Sequence, residues 1–366
     1  MDQFHYVSYA QEVIFAPGSL ARLREVVERF GLQRLMLCAS HSMQVGGPVR
    51  SIESSLGESL VAVYDRVQPH VQDIQVEEVL ALASEKKIDA VIGMGGGSPI
   101  GMAKAVGFQA HLPITAIPTT YAGSEMTPVY GITHTNENPP RKVTVSDPKI
   151  VPKLVLYDPE LTLDLPPTLT ASTGINALAH CIEALYSKTG NPISTAAAVD
   201  GVRHIHNALL NCYQHGEDLD ARTEMLLGAH LSGLSLASVS MGLHHGLCHV
   251  LGGTANVPHG IANAIILPHA IRFNTDVTMT QLIPVAEVMG IPVNRINPMV
   301  INEALVQKIF HLIGQMNLPQ RLRDADVKES DLPRLAQIAF ENRTVQNNPK
   351  SITDVKQLEQ LLKDAW

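Results

Sequence analysis

The sequence predicts an α/β domain built on a parallel sheet, followed by an all-α domain. Three observations predict it. Up to residue 166, apolar runs of strand length alternate with segments whose apolar residues recur at helical spacing, the rhythm of a parallel sheet covered by helices on both faces. From Pro167 onward the spacing is helical and β-rich runs are scarce. A chain of 366 residues also exceeds what one core typically organises. The segment DLPPTLT, residues 164–170, marks the change and divides the chain into residues 1–166 and 167–366.

Each element follows in order. Ser19 is placed to cap a helix with Leu20, Leu23, Val27 and Phe30 on one face and Gly31 closing it. Leu35–Ala39 reads as a buried strand, and residues 61–64 as another. Residues 71–85 form a helix, 89–93 a strand running into glycines, 99–109 a helix and 114–117 a strand. Residues 129–133 and 142–145 are the arms of a hairpin around the turn-rich loop HTNENPPR, and 153–157 is the last clear strand.

Composition excludes several classes. The formal charge of −8 and the absence of a basic block argue against a nucleic-acid partner. Cys38, Cys181, Cys212 and Cys248 are scattered with no CxxC, which argues against a disulfide framework or a zinc knuckle. The N-terminus lacks the charged start and apolar run of a signal peptide, and no run of about 18 apolar residues suggests a membrane span. A cytoplasmic protein with no membrane partner is the expectation.

Two constellations carry chemistry. In DAVIGMGGGSPIGMAK, residues 89–104, a strand ends in Gly93, Gly95, Gly96 and Gly97; Ser98 is placed to cap the following helix and Pro99 suits its first turn. Glycines admit a phosphate close to the backbone, and a helix N-terminus offers free N–H groups and partial positive charge. The spacing is neither GxGxxG nor a P-loop, so a dinucleotide cradle and a tight, ligand-free glycine turn both remain open. With a nucleotide there, the first domain is a Rossmann-like dinucleotide-binding domain. Thr119 and Thr120 follow a strand and can reach ribose or phosphate from the sheet's carboxyl edge; Lys142 offers an ammonium or is merely solvated.

The second constellation is GLHHGLCHVLGGTANVPHGIANAIILPH, which holds His244, His245, His249, His259 and His269. His245 and His249 are four apart on a helical segment and share a face, and His259 follows where a second element can fold back. In GINALAHCIEAL, Asn176 and His180 are likewise four apart. Asn176, His180, His245 and His259 can make a site of one amide oxygen and three imidazoles, which a divalent metal accepts. The alternative is a metal-free pocket in which the same groups hydrogen-bond a substrate carbonyl or carboxylate.

The segments GGGSPIGMAK, IPTTYAGSE, SDP, GINALAHCIEA, GLHHGLCHVLGG and NVPHGIANAIILPH together resemble the iron-type (group III) alcohol dehydrogenase family along nearly the whole chain. Within it the chain looks most like the maleylacetate reductase branch. Gly101 and Asn176 stand where the alcohol dehydrogenases usually have aspartate, and TTYAGSEMTP and GLHH also depart toward that branch, whereas PHGIANAIILPH keeps the alcohol-dehydrogenase form. The resemblance implies a homodimer, an NAD(H) or NADP(H) cofactor and a divalent metal, Fe²⁺ or Zn²⁺, whose occupancy is open.

By the same resemblance Asn176, His180, His245 and His259 are the metal positions, and His249, with His245 and His244, is catalytic, His249 lying on a proton path. Gly95, Gly96, Gly97 and Ser98 match the pyrophosphate loop, and Thr119, Thr120 and Lys142 further cofactor contacts. Ser40 stands at the strand end where NAD-preferring members often carry an acid, so NADPH is permitted. The implied reaction is hydride transfer between nicotinamide and a carbonyl or alcohol carbon of a small molecule, with an oxo-acid or enoyl oxo-acid substrate. Lys142, Arg141 or a protonated histidine would hold its carboxylate. The rivals are a metal-dependent alcohol or aldehyde reductase, a dehydroquinate synthase-like lyase and a non-catalytic nucleotide-binding protein.

Overall fold

The computed structural model describes residues 3–45, 47–135 and 141–366, without the side chains of residues 44, 45, 141 and 142. Its contacts separate into two compact units, Ser8–Leu165 and Pro166–Trp366, the latter including the segment up to Val7.

The first unit holds a six-stranded parallel sheet. Its strands are β1 (Glu12–Phe15), β2 (Leu35–Ala39), β3 (Leu60–Tyr64), β4 (Ala90–Gly95), β5 (Ile114–Pro118) and β8 (Leu154–Tyr157), in the order β1-β8-β5-β4-β2-β3. Helices α1 (Leu23–Arg29), α2 (His41–Val45), α3 (Pro48–Leu56), α4 (Asp73–Glu85) and α5 (Gly97–Ala110) connect them, and β6 (Val129–His134) pairs antiparallel with β7 (Arg141–Ser146). Alternation assigns the two faces. Leu35, Leu37 and Ala39 join Ile92, Met94 and Leu156 in one cluster, while Met36 and Cys38 join Val91, Met102 and Val106 in another. A sheet buried on both faces needs apolar residues at every position, hence LMLCA and LVLY.

Register positions the carboxyl edge. Ala39 pairs with Met94, and Gly95 with Pro118, so the residues following β2, β4 and β5 emerge together. From neighbouring strands β2 and β4 the chain departs in opposite directions, to β3 and to β5, which makes this edge the topological switch point.

Three local expectations are corrected. Ser19 caps nothing: Gly18, in a left-handed conformation, precedes a short 3₁₀ turn, and the Ser19 hydroxyl donates to Tyr157 O at 3.1 Å; Phe30 is exposed rather than on the buried face. Ser98 does not cap α5, because the helix already begins at Gly97 after Gly96 and has no side-chain cap. Strand β1 went unassigned in the sequence, being four residues at the sheet's edge. The loop expected between the hairpin arms lies largely outside the described residues.

The second unit is helical: α6 (Pro167–Tyr186), α7 (Pro192–Gln214), α8 (Leu219–Ser238), α9 (Leu243–Ala255), α10 (His259–Asn274), α11 (Ile283–Val288), α12 (Pro298–Gln315), α13 (Leu332–Glu341), α14 (Arg343–Gln346) and α15 (Val355–Asp364). Leu243, Leu247 and Leu251 of α9 pack with Ile265 and Ile266 of α10, Leu335 of α13 and Leu361 of α15. That anchors one face of α9 and turns His245 and His249 to the other. The cysteines are buried, and no single described helix is long and apolar enough to cross a membrane.

His269 packs edge-on against Phe310 of α12, with ring centroids 5.5 Å apart. Burial, with Arg272 nearby, pushes its pKa down to about 4. Below the ordinary histidine range the unfolded chain therefore takes up a proton that the folded chain refuses, and stability falls as the pH drops from about 6.5 toward 4. Denaturant unfolding at about pH 7 and about pH 4 should show wild type losing on the order of 2–3 kcal/mol more than His269→Gln.

Candidate active site

At the carboxyl edge of the sheet, Gly95 has φ +138°, a conformation L side chains rarely adopt, and it turns the chain out of β4 directly into α5. A Cβ on Gly96 would lie 3.2 Å from Thr120, and one on Gly97 would meet only open space. The uncapped N-terminus of α5 thus faces a cradle walled by Thr120. The Thr119 N–H donates to Gly95 O at 3.1 Å, tying that wall to the loop. Ser40 follows β2 and its hydroxyl pairs with that of Ser42 at 2.9 Å. Backbone register thus brings Ser40, Gly95, Gly96, Gly97, Ser98, Thr119 and Thr120 to one edge. Lys142 pairs opposite Thr133 in the hairpin, and its side chain lies outside the described residues. Gly101 packs under Val71: a Cβ there would approach Val71 Cγ2 at 3.0 Å.

In the helical unit the structure brings six predicted residues together. Asn176 and His180 share a face of α6, and His244, His245 and His249 ride on α9. Asn256, left-handed at φ +55°, ends α9, so that α10 returns with His259 as its first residue. The His180 and His245 rings stack at 4.5 Å, His245 and His259 lie 6.3 Å apart, and His249 and His259 stack at 5.6 Å. Asn176, His180, His244 and His245 are buried, whereas His249 and His259 are exposed, so the cluster runs from the interior to solvent.

Hydrogen bonds fix which nitrogens carry protons. The Ser232 hydroxyl donates to Ala177 O at 2.9 Å, so it accepts from His180 Nδ1, 3.2 Å away, and leaves His180 Nε2 a lone pair. Glu183, on the Asn176–His180 face of α6, accepts from the N–H groups of His244 and His245 at 3.0 and 3.3 Å and from His245 Nδ1 at 2.6 Å. Burial raises the Glu183 pKa, and the donors converging on it oppose that rise. His244 donates from Nε2 to Asn263 O at 3.3 Å and faces His245 Nδ1 at 3.1 Å. Both its nitrogens are committed, so His244 backs His245 rather than offering a reacting atom. Burial holds His180 and His245 well below the ordinary histidine range, so both are neutral at neutral pH. His245 Nε2 and Asn176 Oδ1 are buried with no hydrogen-bond partner.

These donors fit a divalent metal. Two imidazoles present lone pairs with their other nitrogens held by a carboxylate and a hydroxyl, the arrangement that orients metal ligands, and a buried amide oxygen awaits a partner. Asn176, His180, His245 and His259 would hold it. Glu183, His244 and His245 also present atoms within 4.8 Å of one another, but those atoms are occupied by the hydrogen bonds above. Sequence reasoning missed Glu183 and Ser232. Glu183 was legible as a lone acid on an apolar helix face; Ser232 reaches His180 from α8 and carried no local signal.

A sheet with a phosphate-type cradle at its switch point, and a helical unit holding an imidazole cluster, place the chain among nucleotide-dependent oxidoreductases. The profile of iron-containing alcohol dehydrogenases matches residues 10–159, and that of the family's C-terminal region residues 170–366. The chain belongs to the iron-containing alcohol dehydrogenase family, whose members use NAD(P)H and a divalent metal. It is 36% identical to a maleylacetate reductase of Pseudomonas knackmussii over 97% of this chain and 95% of that one. The crystal structure of the maleylacetate reductase from Agrobacterium tumefaciens superposes with TM-score 0.90 at 32% identity, covering 100% of this chain and 99% of the other. A 1,3-propanediol oxidoreductase structure gives TM-score 0.94 at 29% identity, covering 100% of both chains.

Gly96→Val should close the cradle against Thr120 and abolish NAD(P)H binding, read by nucleotide fluorescence, while far-UV circular dichroism keeps its helical signal. Unchanged nucleotide affinity would reject the assignment.

Proposed function

We propose that the protein is an NAD(P)H-dependent reductase of maleylacetate or a similar small oxo-acid. The nucleotide lies on Gly95–Gly97, Ser98, Thr119 and Thr120, and the substrate oxygen meets the imidazole cluster. The observation that carries this reading is the pair of unpartnered buried atoms, Asn176 Oδ1 and His245 Nε2, in a chain similar over nearly its full length to maleylacetate reductases. Unsatisfied buried polar atoms are costly, about 1–3 kcal/mol each, and cluster where a ligand completes them.

When bound, nicotinamide supplies the hydride; a divalent metal held at the cluster would add Lewis acidity at the substrate oxygen, and without one the imidazoles supply hydrogen bonds to that oxygen. The chain's own residues do the rest. Glu183 and Ser232 hold His245 and His180 in the tautomers that present Nε2. His249, exposed at the outer end of the cluster and stacked on His259, carries the proton in from solvent to the developing negative charge. Residues 1–166 form the nucleotide domain and 167–366 the substrate domain, in a cytoplasmic homodimer; the contact division at Leu165 and Pro166 supports that partition.

The three-imidazole set favours a second reading, a metal-dependent alcohol or aldehyde reductase. Asn176 separates the two, because a neutral amide binds a dication more weakly than a carboxylate. The expected result is NAD(P)H oxidation with maleylacetate that persists after exhaustive chelation, and a metal affinity, by calorimetry with Zn²⁺, at least about tenfold higher in Asn176→Asp. Turnover lost on chelation, restored by Fe²⁺ or Zn²⁺ and directed at simple aldehydes would establish the second reading.

Ser40, at the end of β2, presents no charge to a 2′-phosphate. Ser40→Asp should shift the ratio of kcat/KM values toward NADH, since a carboxylate accepts from a 2′-hydroxyl and repels a phosphate. An unchanged ratio would place the ribose elsewhere.

A further inference from the structure

Lys104 is buried with no exposed surface, yet it lies on α5, under two turns from Ser98 at the helix's phosphate-facing end. Its Nζ donates to Thr127 O at 2.7 Å, Val129 O at 3.0 Å, Thr127 Oγ1 at 3.1 Å and also to Ser124 O. The Ser124 and Thr127 carbonyls belong to the irregular segment between β5 and β6, which includes the 3₁₀ turn Ser124–Met126 and starts at Thr119 and Thr120, and Val129 is the first residue of β6. The ammonium thus ties the end of an irregular segment to the start of β6, beside the Thr127 N–H and hydroxyl that also donate to Ser124 O. A second bolt acts from the other side: the Tyr157 hydroxyl on β8 donates to the buried Glu125 carboxylate at 2.7 Å, and Gln11 Nε2 donates to Glu125 O at 3.0 Å.

Both walls of the cradle are therefore referred to one helix. The Gly95–Ser98 loop opens α5, and the Thr119–Thr120 wall begins the segment that α5 grips through Lys104. We propose that Lys104 is a positioning residue for the nicotinamide nucleotide, fixing the Thr119–Thr120 wall against the phosphate loop. This rests on the nucleotide reading of that cradle. Lys104 touches no nucleotide atom itself; it acts through the segment it holds.

The test compares wild type, Lys104→Met, which keeps the stem and removes the ammonium, and Thr127→Val, which keeps the shape and removes one hydroxyl. Kd for NADH and NADPH, KM for nucleotide and for carbonyl substrate, kcat at saturating nucleotide and thermal midpoint are measured. Lys104→Met should raise nucleotide Kd and KM by about tenfold or more and Thr127→Val by less, with substrate KM and saturated kcat unchanged. A lowered thermal midpoint with unchanged nucleotide affinity overturns the proposal, since a purely structural lysine would behave so. If Lys104→Met does not fold, unchanged nucleotide affinity in Thr127→Val overturns it. Loss of binding in Gly96→Val but not in Lys104→Met leaves the cradle standing and removes Lys104; a wild type that binds neither nucleotide removes both.

Discussion

The helical unit's chemistry depends on one buried carboxylate. Glu183 is 1% exposed, projects from α6, and accepts the first N–H groups of α9. A helix begins with unsatisfied N–H groups and partial positive charge, so an anion there is both cap and counter-charge. The same carboxylate takes the His245 Nδ1 proton. Had α9 begun with a serine cap of its own, its start would be satisfied but His245 would be free to adopt either tautomer. Borrowing the cap from α6 locks the helix junction and the imidazole with one group. It also explains Gly242 before the helix: a Cβ there would lie 3.3 Å from Glu183 Oε1 and 3.2 Å from the Asn348 backbone.

The two helix starts that matter are treated in opposite ways. The N-terminus of α9 is closed by protein charge, and that of α5 has no side-chain cap and is preceded by glycine. The physics of an unfilled first turn is the same in each. Where the chain fixes an imidazole it supplies the anion; at α5, the proposed phosphate site, it leaves the N–H groups open and carries no side chain at Gly96 or Gly97.

That contrast explains what the sequence disclosed. Central strands β2, β4, β5 and β8 were legible because burial on both faces demands uninterrupted apolar runs, as in LMLCA. Edge strand β1, with exposed Val13, carries no such constraint. Ser19 and Ser98 were misread as caps because a serine before a helix satisfies the local rule, whereas glycine geometry decided both starts. The histidine cluster was legible because four-residue spacing survives any packing of α6 and α9. Ser232, 52 residues from His180, and Lys104, whose partners lie 20 to 25 residues away, act through tertiary contacts that no local spacing encodes.

Asn176 is where charge balance enters. His180 and His245 are held neutral by burial and Asn176 is neutral by nature, so the inner end of the cluster carries only the Glu183 charge, already shared among three hydrogen bonds. On the proposed reading, an aspartate at 176 would place a second, uncommitted anion beside the reacting oxygen. Alcohol and aldehyde substrates bring no charge, and a metal there would offset such an anion. An oxo-acid brings its own carboxylate, and reduction adds negative charge at the oxygen, so repulsion would rise from ground state to transition state. An amide of the same shape keeps the oxygen in place and removes that rising repulsion. On that reading the amide that weakens the site for a dication suits it to an anionic substrate, and one residue biases both choices.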